Sequence, residues 1–187
     1  MKPLFSVAKK VPMSKKRIVF SEGEDERVLR AVQVLIDEKI ANPILIGRPA
    51  VIARRVERFG LRMNPGVDVD VCNPEFDERY RDYWQTYHRL TERKGVTESY
   101  ARLEVRRRNT LIGSLMVFKG EADGLICGTI GQTGAHLHYI DQVIGHEEGA
   151  KTYGAMNALV LPGRQVFLVD THINVDPTAE QLAELTI

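Results

Sequence analysis

The chain has 187 residues, 43% of them apolar, enough to bury one sizeable core and part of a second. Its 26 lysines and arginines against 25 acidic residues leave a net charge of +1, which provides no field for nucleic acid or an anionic membrane surface. Cys72 and Cys127 are too few and too far apart for a disulfide framework or a zinc site. No apolar run approaches the ~18 residues of a membrane span, and the start lacks the apolar stretch of a signal peptide, so a cytoplasmic location is expected.

Residues 1–16 read as a connecting segment with a basic second half. Ile18, Val19 and Phe20 predict a short buried strand. Ser21 and Glu24 then have the spacing of a capping box, and Val28, Leu29, Val32, Leu35 and Ile36 fall on one face of a helix. Residues 43–47 predict a second strand, and Val51, Ile52, Val56 and Phe59 a helix stopped at Gly60. Residues 67–71 alternate as a third strand with Asp68 and Asp70 facing away. This rhythm implies an α/β fold, a parallel Rossmann-like sheet with helices on both faces and right-handed crossovers.

The middle of the chain is helical. Tyr80, Tyr83, Trp84, Tyr87 and Leu90 recur at helical spacing within residues 78–91, a stripe that suits packing better than base stacking. A second helix, capped by Thr97, runs to Arg107, and a third covers 109–119 and ends at Gly120. Arg106, Arg107 and Arg108 read chiefly as a solvated helix end, with anion or nucleotide contact as the alternative. Residues 124–127 predict the fourth parallel strand.

That strand delivers the most informative stretch, residues 122–138. Gly128, Gly131 and Gly134 lie between a strand and a helix, where backbone N–H groups approach a ligand closely and the helix N-terminus favours an anion. Cys127, Thr129, Gln132 and Thr133 add short polar groups. The carboxyl edge of an open parallel sheet is where ligands bind. The stretch therefore reads as an anion or phosphate loop, yet it contains no lysine or arginine. Cys127 is better read as a packed or ligand-facing thiol than as a nucleophile. His136 and His138, two apart on a helix, point to different sides, so no metal site is expected there.

Leu137, Ile140, Val143 and Ile144 complete a helix ending at Gly145. From about Gly149 the pattern changes to two strands, 153–161 and 165–171, joined by Pro162 and Gly163. Asp170 follows as a turn residue or a candidate base, and Asn174 and Glu180 as turn and helix-start residues. Asp176 is expected to cap a last helix, with Pro177 at its first position. Its apolar face, from Ala179 to Ile187, has nothing after it to pack on, so the chain is expected to end inside a domain. The division is 1–16, 17–148, and 149–187 as the start of a second α/β subdomain.

Several long motifs resemble one family. Residues 17–29 (Arg-Ile-Val-Phe-Ser-Glu-Gly-Glu-Asp-Glu-Arg-Val-Leu), 124–128 (Gly-Leu-Ile-Cys-Gly) and 174–184 (Asn-Val-Asp-Pro-Thr-Ala-Glu-Gln-Leu-Ala-Glu) resemble the phosphate acetyltransferase fold. Residues 42–49, 79–87 and 154–159 are similar to one branch of it, the phosphotransacetylase-like C-terminal half of large bacterial NADP-dependent malic enzymes. The first six residues resemble the junction that joins that half to an upstream catalytic half.

The resemblance has chemical implications. It puts the family's loop serine at Cys127, its histidine at Gly131, a small hydroxyl at Gln132, its acidic residue at Ala135 and its arginine at His138, with Thr133 retained. Groups that would organise acetyl phosphate are thus missing, and nothing nearby supplies a fixed cation. The family's catalytic arginine, serine and aspartate fall beyond Ile187. The resemblance implies a non-catalytic regulatory domain that binds acetyl-CoA through Cys127, Gly128, Thr129, Gln132, Thr133, His136, Asp170 and Asn174. The parent would decarboxylate malate oxidatively to pyruvate, with NADP and a divalent metal held by its upstream half. This region would bind no cofactor of its own and would belong to a homo-oligomer. The alternatives are an active phosphate acetyltransferase, forming acetyl phosphate from acetyl-CoA and phosphate, or an oligomerisation platform.

Overall fold

The computed structural model describes residues 16–171 and 173–186. Most of the expected connecting segment, with His172 and Ile187, lies outside the described residues. The chain forms two compact units, the first running to Ile144 and the second beginning at Gly145. Among the described residues, no helix is long and apolar enough to cross a membrane.

In the first unit, β1 (Arg17–Phe20), β2 (Asn42–Ile46), β3 (Asp70–Cys72) and β4 (Gly124–Ile126) form a parallel sheet in the order β3-β2-β1-β4. Successive side chains of a strand point to opposite faces. Val19, Ile44 and Ile46 therefore enter one core, and Phe20 and Leu45 the other. Helices α1 (Glu26–Asp37) and α2 (Pro49–Arg58) close the second core with Leu29, Val32 and Ile52. Helices α3 (Tyr80–Thr91), α4 (Glu98–Arg107), α5 (Asn109–Phe118) and α6 (Thr133–Val143) close the first with Tyr83, Tyr87, Val105, Leu111, Leu115 and Tyr139. The aromatic stripe of α3 is thus packing. Burial on both faces is why β1 and β2 read as continuous apolar runs. In this strand order the connections leave β1 in opposite directions, which opens a crevice between the carboxyl ends of β1 and β4.

Three local expectations are corrected. The third strand is shorter than its alternation suggests. The Asp68 carboxylate accepts from Asn64 N at 2.8 Å and Asn64 Nδ2 at 3.0 Å, a local turn that leaves Val67 84% exposed and delays the ladder to Asp70. Ser21 does not cap α1: Asp25 does, accepting from Arg27 N at 2.9 Å, because Glu24 is drawn to Arg48 instead. Asp176 does not cap the last helix, α7 (Ala179–Thr186). Thr178 does, its hydroxyl accepting from Gln181 N at 3.3 Å while Gln181 Oε1 accepts from Thr178 N at 2.8 Å, a reciprocal capping box.

The second unit contains β5 (Met156–Leu161) and β6 (Arg164–Val169), an antiparallel hairpin turning at Pro162 and Gly163, followed by α7. Most hairpin side chains are exposed.

The turn after β1 is tightly fitted. Gly23 N donates to Ile46 O at 3.1 Å, and a Cβ on Gly23 would come within 2.7 Å of that oxygen and 2.9 Å of Leu45 Cβ. Backbone cannot yield as a side-chain tip does, so Gly23→Ala is expected to cost about 2 kcal/mol in urea denaturation. Gly134→Ala, with nothing within 4 Å of the added carbon, is expected to be neutral or stabilising by up to ~1 kcal/mol in the same measurement.

Candidate functional site

A cleft of about 570 Å³ opens at the crevice. Ser21 and Glu22 enter it from the turn after β1, Ile130, Gly131 and Gln132 from the loop after β4, and His136 from α6. Arg48 and Arg55 enter from α2 and its cap, and Arg106–Arg108 and Thr110 from the junction of α4 with α5. All these elements follow strands or begin helices at the same edge of the sheet.

The glycine loop has a defined shape. Gly128 and Gly131 have φ of +94° and +101°, where a side chain is strained, and a Cβ on Gly131 would stand 3.2 Å from His136 Nε2. Side chains of the same unit hold its backbone. Gly128 N donates to Glu22 Oε1 at 3.2 Å, and Arg27 Nη2 donates to Thr129 O at 3.0 Å while Asp25 grips its guanidinium. His136 Nε2 lies 2.8 Å from Ile130 O, and its Nδ1 lies 2.7 Å from Thr110 Oγ1. A carbonyl only accepts, so Nε2 donates to Ile130 O, and the threonine hydroxyl, able to donate or accept, holds Nδ1. The loop is therefore not the open backbone cradle its glycines suggested, because the N–H of Gly128 already faces a carboxylate. Glu22 Oε2 and Ser21 Oγ are buried beside it with no hydrogen-bond partner among the described residues.

The expectation that no fixed cation lies nearby is overturned. Arg48, Arg55, Arg106, Arg107 and Arg108 all line the cleft. Arg48 is held by Glu24 through Nε at 2.9 Å and Nη2 at 2.8 Å, and Arg55 donates to the Glu24 carbonyl. Arg108 Nε donates to Glu104 Oε2 at 3.2 Å; Glu104 is buried and also accepts from the Tyr139 hydroxyl. Arg106 and Arg107 occupy the last turn of α4, so this basic run is both a helix end and a cleft wall. Helices α2, α5 and α6 also start here, at Arg48, Arg108 and Gln132, and none carries a side-chain cap. At α2 the Arg48 N–H already donates to Glu24 Oε1 at 3.0 Å and Pro49 has none to offer, so it is the starts of α5 and α6 that add N–H groups and positive dipole ends to the arginines. The cleft thus sets five arginines against four carboxylates, Glu22, Glu24, Asp25 and Glu75, two of the arginines being paired within the fold.

Of the eight residues expected to bind acetyl-CoA, Gln132 and His136 line this cleft, as do Gly131 of the glycine loop and the Arg106–Arg108 run. Cys127, Gly128, Thr129 and Thr133 shape the loop and the start of α6 without lining it. Burial, and then the charge of Glu22, push the Cys127 thiol above its ordinary pKa, which makes it a poor nucleophile at neutral pH. His138 packs edge-on against Tyr139 at 5.2 Å, while both nitrogens of His136 are engaged. Among the described residues no group of three or more metal-ligating side chains gathers. Asp170 and Asn174 belong to the second unit, where they turn the chain. Asp170 Oδ1 accepts from Ala155 N at 2.7 Å, and Oδ2 from Asn174 N at 2.8 Å and Asn174 Nδ2 at 2.7 Å.

Comparison with known proteins adds the family. The model for phosphate acetyl/butaryl transferases matches residues 1–187. The chain belongs to this family. Over its whole length it is 47% identical to the NADP-dependent malic enzyme of Salmonella typhimurium and 48% identical to the NAD-dependent malic enzyme of Rhizobium meliloti. It spans 24% of each, so it covers about a quarter of the length of these curated relatives. It is 32% identical to the phosphate acetyltransferase of Corynebacterium glutamicum, over 91% of this chain and 50% of that protein. The EutD phosphotransacetylase from Staphylococcus aureus superposes with a TM-score of 0.87 at 26% identity, covering 98% of this chain and 54% of that one. The α/β fold and the family resemblance read from the motifs both hold.

The Glu24–Arg48 pair gives the cleft a pH signature. The side-chain hydrogen bonds from Arg48 hold the Glu24 carboxyl below its ordinary value of 4.5. A depressed folded-state pKa contributes stability above the unfolded value and loses it as pH falls through the folded one. Between about pH 5 and pH 3, the melting temperature of a Glu24→Gln variant is therefore expected to fall less steeply than that of the parent.

Proposed function

We propose that this chain is the phosphotransacetylase-like sensing region of an NAD(P)-dependent malic enzyme, and that its cationic cleft binds acetyl-CoA without transferring the acetyl group. The observation that carries this reading is the convergence of five arginines and two uncapped helix starts, those of α5 and α6, on one crevice. Acetyl-CoA is a thioester bearing several phosphates, and phosphates are well matched by guanidinium groups and helix N-termini.

Transfer between coenzyme A and phosphate would need more than binding. It needs a base for the thiol and donors for both the phosphate and the developing oxyanion. Here the nitrogens of His136 are committed to Thr110 and Ile130, and the Gly128 N–H to Glu22. Gly131, Ala135 and His138 stand where the resemblance puts a histidine, an acid and an arginine. The likeness to malic enzymes, higher than to phosphate acetyltransferases, supports the same reading. In the parent, malate would be oxidised and decarboxylated in a separate half that holds NADP and a divalent metal. An effector acting from this cleft would be allosteric, since its site and the malate site are distinct. A cytoplasmic homo-oligomer is the expected setting.

The second reading, acetyl transfer, draws on the resemblance to phosphate acetyltransferases. Calorimetry and a coupled assay on the full-length protein separate the two. Acetyl-CoA is expected to bind, and Arg106→Ala combined with Arg107→Ala to weaken it tenfold or more, the loss of about 1.5–3 kcal/mol that a charge-assisted hydrogen bond supplies. Formation of acetyl-CoA from acetyl phosphate at ordinary enzyme rates would establish the second reading. Neither binding nor turnover would leave only a scaffold.

A further inference from the structure

A larger recess, about 1030 Å³, lies along the α3–α4 pair. The two helices are joined by a short 3-10 turn at Glu92–Lys94 and run antiparallel, with Tyr80 at the start of α3 donating to Arg102 O in the middle of α4 and Arg106, in its last turn, over the Tyr80 ring. Tyr83, Tyr87, Ala101 and Val105 bury one side of the pair in the core. The recess carries four arginines, Arg81, Arg89, Arg102 and Arg106, against one carboxylate, Glu98.

The arrangement selects among anionic occupants. Arg102 lies 4.3 Å over the Trp84 ring and Arg106 lies 4.4 Å over the Tyr80 ring. Both aromatic faces are thereby covered and not offered to a nucleobase, while the guanidinium groups are held in place. Arg81 and Arg89 form no ion pair among the described residues. At 1.5 Å per residue they are spread over about 12 Å of one wall, and Arg102 and Arg106 over about 6 Å of the other. A phosphate or diphosphate needs donors converging on a point, as in the cleft. Charges strung along two walls instead match carboxylates recurring every fourth residue on a helix. A groove between two packed helices is also where a third helix fits by ridges into grooves.

We propose that the α3–α4 groove docks an acidic helical segment of the same, longer polypeptide. This rests on the reading of the chain as part of a malic enzyme, whose relatives have about three-quarters of their length outside the matched region. Arg106 lines both the groove and the cleft, so an anion in the cleft competes for charge that the docked helix also uses. That shared residue gives a direct physical route for coupling between the two.

The test uses the full-length protein with a photo-crosslinking residue in place of Gln85 and, separately, of Ser99, both exposed on the groove. Both probes are expected to label one segment outside these 187 positions, rich in aspartate and glutamate at helical spacing. Arg81→Glu combined with Arg89→Glu should cut the yield at least tenfold. Labelling of these same positions in a second copy, resolved by mixing isotopically distinct protein, would overturn the proposal. So would labelling of no protein segment, or a yield that charge reversal leaves unchanged. Titration of the same proteins with acetyl-CoA keeps the two readings apart. Acetyl-CoA binding without the crosslink removes the docking site alone, and the crosslink without acetyl-CoA binding removes the effector reading alone.

Discussion

The turn that leaves β1 is bonded to both neighbouring strands, Ser21 N to Ile126 O and Gly23 N to Ile46 O, each at 3.1 Å. Its side chains extend the same pattern outward, Glu22 to the loop after β4 and Glu24 to the cap of α2. Asp25 both caps α1 and holds the arginine that grips Thr129 O. Only parallel pairing makes this feasible, because neighbouring strands then end at one edge and a single turn reaches both. The crevice, the loop conformation and the setting of α2 all depend on those few residues. A carboxylate-rich turn therefore organises a site whose other wall is cationic.

The same topology explains how a chain with a net charge of +1 gathers five arginines at one edge of its sheet. The junction after β2 brings Arg48 and the first turns of α2 to that edge, and the α4–α5 junction brings Arg106–Arg108, so arginines distant in sequence become neighbours. Fixed partners prevent the cluster from disrupting itself. Arg48 and Arg108 each rest on a carboxylate of the fold, while Arg106 is stacked on Tyr80. Guanidinium groups held in this way need little reordering when an anion arrives, which is the physical content of preorganisation.

Much of the fold was legible because burial on both faces leaves an unmistakable pattern. Continuous runs such as Ile44, Leu45 and Ile46 mark central parallel strands, and Thr97 caps α4 as its position suggests. The errors fell where local hydrogen bonding competes with pattern. Asp68 turned the chain inside an alternating stretch, and Asp25 and Thr178 outcompeted equally plausible caps because their neighbours' side chains were engaged or reciprocal. The site was legible in part. The loop's glycines announced its position, but its arginines lie between 20 and 90 positions away and converge only through the sheet. A signal for them existed nonetheless: Arg48 directly follows a predicted strand and precedes Pro49, which places it at the carboxyl edge. No such signal foretold that Glu22 would occupy the Gly128 N–H, since that depends on the two loops meeting.

The hairpin of the second unit bears on how such a chain survives its own synthesis. Among the described residues β5 and β6 pair only with each other, with Met156, Phe167 and Leu168 facing outward. Residues 156–161 and 165–169 contain neither charge nor proline, and open edges of that composition join readily to one another. A ribosome adds roughly 5–20 residues per second, so such a ribbon stays exposed for seconds while the chain is being made. The yield of the folded protein is then a race between covering the ribbon and meeting another copy of it.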